Sequence, residues 1–197
     1  MDDGYAPNRH AINEAKRQAA EQGAAQAHPE NYTGTSPINV KKLGHLVYEV
    51  SDVERSAKFW MEVMGFQVSE ANEIGMVFLR CGSDHHAIGL KPSKHPRRPA
   101  ASEGLKIEHL AFEVGSIDVL VKARAYFKAN NIPIVFEGRK GAGCNESINF
   151  LDPDGYEFEI YCNMDQVDAT GRLRPKSQFR PAPTLDDAIA NPVPKTW

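Results

Sequence analysis

The stretch GHLVYEV, residues 44–50, returns 64 positions later as EHLAFEV, residues 108–114. Each copy alternates apolar and polar residues with the period of two that is typical of a β-strand with one buried face. Each copy also carries one histidine near its start, His45 in the first and His109 in the second. The repeat therefore predicts two copies of one structural unit, each opened by a strand with a histidine.

The segments that follow the two copies also match in type. Each begins with a residue that can cap a helix, Asp52 or Ser116, and continues with helical apolar periodicity. Further strand-like stretches follow each helix up to about residues 92 and 163. The pattern predicts an α+β fold in which two tandem βαβββ modules form a pseudo-twofold open barrel around one site.

This organisation divides the chain into five regions. We expect an N-terminal arm at 1–40, a first module at 41–92, a linker at 93–105, a second module at 106–163 and a C-terminal tail at 164–197. The predicted helices are 53–64 and 117–130, and the predicted strands are 43–50, one from 66, 76–81, 86–91, 107–114, 133–137, 147–151 and 156–161. Apolar residues in the tail predict that it packs on the surface of the modules or on a neighbour.

Composition narrows the classes of function. A net charge of −3 and a pI near 6.2 give no electrostatic reason to bind nucleic acid or an anionic membrane. No apolar run approaches the ~18 residues of a membrane span, and Asp2 and Asp3 stand where a signal peptide would be basic. Three cysteines without CxxC spacing indicate reduced thiols. These features favour a cytoplasmic protein.

A carboxylate completes a candidate metal site. The turn DPDG, residues 152–155, leads into a final strand that places Glu159 among apolar neighbours. Two histidines and one carboxylate on three strands are the donor set of a facial triad for a divalent metal. We therefore expect His45, His109 and Glu159 to be metal ligands.

Three motifs carry a family resemblance: Gly44-His45, the helix end FWMEVMGF at 59–66, and the DPDG turn that runs into Glu159. Over about residues 41–163, the chain resembles the vicinal oxygen chelate superfamily. That resemblance implies paired βαβββ modules around a divalent metal, with terminal arms outside them.

The last strands of the two modules align residues 86–90 with residues 156–160, so that Gly89 stands against Glu159. Glyoxalase-like members of the superfamily generally recruit an acidic ligand at the position of Gly89. Without it, two histidines and one carboxylate remain, which resembles the type I extradiol ring-cleaving dioxygenases. That resemblance implies Fe(II), or sometimes Mn(II), as the cofactor.

The stretch DHHAIGL, residues 84–90, is similar to the histidine-bearing strand of those dioxygenases. By this resemblance His86 is the acid–base residue, and His85 is a candidate substrate contact. The chain has Asn149 where the dioxygenases usually have a tyrosine, and its amide could contact a substrate oxygen. A further histidine of the family is replaced by a segment in which Lys140 or Arg139 could supply positive charge.

The function that the resemblance implies is a dioxygenase that cleaves a catechol-like aromatic with O2, as in aromatic catabolism. A metal-dependent lyase, isomerase or epimerase of glyoxalase type is the alternative, and a binding protein without chemistry is the third. The expected partners are a small aromatic substrate and O2, with no nucleic acid and no membrane. We also expect a homo-oligomer that uses the terminal arms.

Overall fold

A computed structural model of the chain describes residues 42–94, 107–166 and 174–194. All of these residues belong to one compact unit, Lys42–Trp197. The predicted arm at 1–40 and most of the predicted linker at 93–105 lie outside the described residues. In the described ranges, no helix has the length and apolar character that a membrane crossing requires.

The first sheet is built by residues 46–92. Its elements are β1 (Leu46–Val50), α1 (Val53–Glu62), β2 (Gln67–Ala71), β3 (Val77–Arg80) and β4 (Ile88–Pro92). The strand order is β1-β4-β3-β2, and β1 runs parallel to β4. The connection from β1 through α1 therefore leads the chain to the far edge of the sheet before it returns to the side of β1.

The second sheet repeats this arrangement. Its elements are β5 (Leu110–Glu113), α2 (Ile117–Ala129), β6 (Ile134–Arg139), β7 (Glu146–Leu151) and β8 (Glu157–Cys162). The strand order is β5-β8-β7-β6, with β5 parallel to β8. Two four-stranded mixed sheets with helices confirm the predicted α+β class. Closure of the two sheets into a pseudo-twofold open barrel stays a prediction.

The helix boundaries follow from local chemistry. The carboxylate of Asp52 accepts a hydrogen bond of 2.9 Å from the amide of Arg55, which satisfies one of the free amides at the start of α1. Gly65, with φ of +71°, lets the chain turn away after this helix. After α2, Asn131 adopts φ of +55° and Pro133 follows, so the helix cannot continue.

A single apolar core joins the two sheets. Trp60 of α1 is completely buried, and its ring packs edge-on against Phe112 and Phe158 of the second sheet at centroid distances of 5.6 and 4.9 Å. Its indole Nε1 donates to the Tyr48 hydroxyl at 2.8 Å, and this hydroxyl donates to Asp152 at 3.0 Å. Burial raises the pKa of Tyr48 above its ordinary value, so the phenol stays protonated and remains a donor.

The described part of the C-terminal tail packs on the second sheet. It includes the short helix α3 (Leu185–Ala190), whose first turn is capped by the Thr184 hydroxyl. Ala182 pairs with Arg139 beside β6. At Gly138 a Cβ atom would stand 2.4 Å from the carbonyl oxygen of Ala182, so only glycine permits this approach.

Arg139 anchors the tail. Its side chain is completely buried, donates to Glu146 at 2.9 Å and also donates to the carbonyls of Arg180, Ala188 and Asn191 at 2.7 to 2.9 Å. All of these partners lie on the tail or at the start of β7. The suggestion that Arg139 supplies positive charge to the site is therefore wrong, because its guanidinium is consumed by this anchoring.

Candidate metal and substrate site

Side-chain alternation sorts each sheet into two faces. The odd-numbered residues His45 and Val47 alternate with Leu46 and Tyr48, which pack against the core. In the second sheet His109 precedes Leu110, which packs against the same core. Each histidine therefore lies on the face of its sheet that is turned away from the helices.

The strand registers place equivalent residues in equivalent rows. In the first sheet Gly89 lies between Val47 of β1 and Phe78 of β3. In the second sheet Glu159 lies between Ala111 of β5 and Asn149 of β7. Val47 and Ala111 each follow their histidine by two residues. The register thus confirms the alignment of Gly89 with Glu159.

The structure brings His109 and Glu159 together. Nε2 of His109 lies 3.6 Å from Oε2 of Glu159, whose side chain is 6% exposed. The other oxygen of Glu159 accepts from the Asn145 amide at 3.3 Å, and Lys140 donates to Oε2 at 3.3 Å. Nδ1 of His109 is buried and has no hydrogen-bond partner in the described part of the chain, although an oxygen of the exposed Glu108 lies 3.5 Å away.

This pair fits a divalent ion. Two ligand atoms that each bind at about 2.0–2.2 Å to one ion are separated by roughly 3–4 Å, and the His109–Glu159 distance falls in that range. A neutral imidazole beside one carboxylate is a donor set that iron, manganese and zinc accept.

The third predicted ligand, His45, is not assembled with this pair. It is exposed, and its ring packs against His86 at a centroid distance of 4.5 Å. Among residues 42–94, 107–166 and 174–194, no group of three or more His, Cys, Asp or Glu side chains is arranged to hold a metal. The ligand role of His45 therefore rests on its equivalence with His109.

His86 lies next to His45 at the start of β4. Its ring also packs edge-on against Phe78 at 5.0 Å, and its Nδ1 is 3.1 Å from Nδ1 of His85. Burial, followed by the charges of His45 and His85, holds the pKa of His86 below its ordinary value. His85 is more exposed and pairs through Nε2 with Glu70 at 3.2 Å.

Asn149 is completely buried in the row beside Glu159. Its Oδ1 accepts from Lys140 at 3.3 Å, and its Nδ2 donates to Glu157 at 2.8 Å. Lys140 therefore occupies one of the two acceptor positions of this amide oxygen. Glu157 and Asn145, which hold Asn149 and Glu159 in place, were missed by the sequence analysis because no motif singles them out.

An apolar cavity of about 250 Å³ opens beside His109. Most of its lining is aliphatic or aromatic: Leu46, Tyr48, Leu110, Tyr156 and Phe158. It borders Glu157 as well as His109, but Glu159 does not line it. Because Leu46, Tyr48 and Leu110 pack against the core, most of this lining belongs to the core face of the sheets and not to the row of Glu159.

Comparison with known proteins places the fold and the site in context. The Glyoxalase/Bleomycin resistance protein/Dioxygenase superfamily matches residues 42–160. A biphenyl-2,3-diol 1,2-dioxygenase of Paraburkholderia xenovorans (strain LB400) is 31% identical over 134 residues, which are 64% of this chain and 42% of that protein. The chain thus matches less than half the length of this dioxygenase.

A second kind of relative is similar in length. The glutathione transferase FosA of Serratia marcescens is 27% identical over 122 residues, which are 62% of this chain and 81% of that protein. The crystal structure of a glyoxalase/dioxygenase from Nostoc punctiforme matches with a TM-score of 0.53 and 21% identity, over 66% of this chain and 96% of that one. That likeness concerns the fold alone.

The superfamily match covers both sheets except the last two residues of β8, both of the helices that follow their first strands, and all of the predicted ligands. Since it spans more than half of the sequence, the chain belongs to the Glyoxalase/Bleomycin resistance protein/Dioxygenase superfamily.

Proposed function

We propose that the chain is an extradiol-type dioxygenase that acts on a catechol-like aromatic with O2. In this proposal His45, His109 and Glu159 hold Fe(II), with Mn(II) as the alternative ion, and His86 is the acid–base residue. The observation that carries the proposal is the register of Gly89. Gly89 takes the place of Glu159 in the first sheet, so that sheet offers no carboxylate and leaves that side of the site open.

The position of His86 supports an oxygenase over the other activities of the superfamily. Its ring lies against His45 and against Phe78, the residue that pairs with Gly89. Iron(II) held by two imidazoles and one carboxylate supplies open positions for a chelating substrate and for dioxygen. His86 then accepts a proton from a substrate hydroxyl, and Nε2 is the atom that remains for it because Nδ1 faces His85.

The other residues of the chain bind and orient. Asn145 fixes one oxygen of Glu159, so the carboxylate presents the other oxygen toward His109. Asn149, held by Glu157, offers its amide oxygen to a substrate group that displaces Lys140. His85 lies at the exposed rim, where it can contact a substituent.

Metal content of ligand variants tests the site. Protein purified without oxygen and reconstituted with Fe(II) is expected to bind one ion, and His45→Ala, His109→Ala and Glu159→Ala should each abolish stoichiometric binding. His85→Ala is the matched control, because His85 is exposed and outside the proposed ligand set. Wild-type metal content in all three ligand variants would overturn the assignment.

Turnover tests the reaction. Oxygen uptake is measured with a panel of catechols, and we expect one O2 consumed per ring opened. His86→Gln should retain the metal and the substrate but lose about 10²–10⁴-fold in kcat, as for other acid–base residues. Loss of the metal from this variant would mean that His86 is a ligand.

A metal-dependent lyase, isomerase or thiol transferase is the second candidate. The observation in its favour is the share of each relative that the chain matches, which is 81% of FosA but only 42% of the dioxygenase. The same metal-loaded protein, assayed without oxygen with glutathione and an electrophile, separates the two. Product formation there, without oxygen uptake in the catechol assay, would replace the dioxygenase proposal by this one.

A further inference from the structure

The side chain of Lys140 reaches into the candidate site from the end of β6. Its Nζ donates to Asn149 Oδ1 and to Glu159 Oε2, each at 3.3 Å, while its stem leaves Nζ 5.1 Å from the centre of the Phe136 ring. The side chain is 46% exposed, so it can swing toward solvent or toward a ligand. Lys140 is thus a half-exposed cation directly beside a proposed metal ligand.

The neighbours of Lys140 fix its backbone. Arg139, immediately before it, is anchored to the C-terminal segment by three hydrogen bonds of its side chain and to Glu146 by a fourth. Gly141, immediately after it, packs so closely on Phe179 that a Cβ atom would lie 3.2 Å from that ring. Because alternate residues point to opposite faces, the buried Arg139 directs Lys140 to the face of Asn149 and Glu159. The fixed backbone therefore determines the face of the sheet on which the Lys140 side chain lies, although the end of that side chain is exposed.

A metal at this site would compete with Lys140 for Glu159. In the structure, Lys140 pairs with Glu159 at 3.3 Å. A divalent ion that took Glu159 as a ligand would deprive the ammonium of Lys140 of this carboxylate and leave it the neutral amide oxygen of Asn149 as the other partner described above. A carboxylate on the substrate would restore an anionic partner to Lys140.

We propose that Lys140 selects substrates that bear a carboxylate beside the chelating oxygens, that is, dihydroxy-aromatic acids. This inference rests on the proposed function, since the catechol oxygens hold the substrate at the metal. On binding, the ammonium of Lys140 leaves Glu159 and pairs with the substrate carboxylate. The amide oxygen of Asn149, released at the same time, faces the bound ligand.

The first experiment compares two ligands that differ at one substituent. Anaerobic Fe(II)-loaded protein is titrated with 2,3-dihydroxybenzoate and with 3-methylcatechol. Wild type should bind the acid about 10–100-fold more tightly, in keeping with a hydrogen bond to a charged group. Lys140→Met, which keeps the length of the stem, should reduce this ratio to near one, and Lys140→Arg should restore most of it. Lys128→Met is the matched control, because Lys128 lies on α2 and pairs with Glu137.

The second experiment needs no substrate. Affinity for Mn(II) is measured by calorimetry, and Lys140→Met should bind the ion several-fold more tightly than wild type, because Glu159 loses a competing cation. Weaker binding of Mn(II) by this variant would mean that Lys140 only orients Glu159. It would overturn the proposal that Lys140 leaves Glu159 when a ligand binds.

The outcomes of the first titration separate the two proposals. Equal binding of the acid and the methylcatechol by wild type overturns the role of Lys140 and leaves the dioxygenase proposal intact. Retention of the preference by Lys140→Met does the same. Failure of metal-loaded protein to bind either catechol overturns the proposed function, and the inference with it.

Discussion

The two sheets share a strand order and a register, yet the rows that face the candidate site differ in character. In the first sheet the row consists of Val47, Gly89 and Phe78, which offer no polar side chain. In the second sheet the equivalent residues are Ala111, Glu159 and Asn149, and the last two are buried and hydrogen-bonded. One framework therefore serves two tasks, an apolar wall in one copy and a polar cradle in the other.

The polar row carries a structural cost that the apolar row does not have. Buried polar side chains are tolerated only when their hydrogen bonds are satisfied. The second sheet meets this demand in the row itself with Lys140, Asn145 and Glu157, and its opposite face holds the fully buried pair of Arg139 and Glu146. In the first sheet, the pair of Lys91 and Glu49 is half-exposed. The difference indicates that the second sheet depends far more on individual polar contacts.

The largest effect is expected from Arg139→Met. The substitution leaves Glu146 buried without its charged partner and three tail carbonyls without the Arg139 donor, so the free energy of unfolding should fall by about 3–5 kcal/mol. Urea denaturation followed by circular dichroism measures the loss. Lys91→Met, the control from the first sheet, should cost about 0–1 kcal/mol because its ion pair is solvated. Similar costs for the two variants would refute the contrast.

A middle-sized effect is expected at Gly89. A Cβ atom there would lie 2.9 Å from Cγ2 of Val47 and 3.5 Å from the Phe78 ring, so Gly89→Ala should cost about 1–3 kcal/mol through overpacking. Its φ is not in the left-handed region, so the cost comes from crowding and not from the backbone. Val47→Ala in the same chain should recover most of the loss in a thermal melt.

The Val47→Ala variant, in which crowding at Gly89 is reduced, then allows a test of the open side of the site. Gly89→Glu combined with Val47→Ala gives the first sheet the carboxylate of the second. Metal affinity should hold or rise, because a charged oxygen ligand is added, and oxygen-dependent turnover should fall below that of the Gly89→Ala, Val47→Ala double variant. Equal turnover in both would mean that Gly89 acts through its size alone.

Much of the fold could be predicted because its signals are local. The repeated strand with one histidine, the helix caps and the DPDG turn are each read from a few neighbouring residues, and the register of Gly89 followed from aligning the repeat. The strands predicted at 43–50 and 107–114 began three residues too early, so that His45 and His109 precede β1 and β5. The sequence shows the apolar alternation of a strand, but it does not show at which residue the backbone hydrogen bonds to the neighbouring strand begin or end.

The contacts that sequence reasoning missed are made between distant segments. Arg139 was an alternative source of charge at the site, but its partners include residues 180–191, and no local pattern reveals them. Asn145 is likewise a loop residue whose role depends on the approach of Glu159. Lys140 and Arg139 are neighbours with the same charge, and their roles differ only because their side chains lie on opposite faces of the sheet. The position of the C-terminal segment determines which of the two is buried.

The smallest expected effect compares the starts of α1 and α2. Both helices have a capping residue, but Asp52 accepts a hydrogen bond from the Arg55 amide, whereas the Ser116 side chain makes no such bond. Asp52→Ala should therefore lower the free energy of unfolding by about 1 kcal/mol, and Ser116→Ala by only a few tenths. Asp52→Asn separates the hydrogen bond from the charge, because it keeps the acceptor and loses the interaction of the carboxylate with the helix dipole. Asp52→Asn should retain most of the free energy of unfolding in chemical denaturation, with an unchanged dependence of that free energy on denaturant concentration. Equal losses for Asp52→Ala and Ser116→Ala would mean that the two modules start their helices with the same energetics, and the difference between them would then begin only at the rows that face the site.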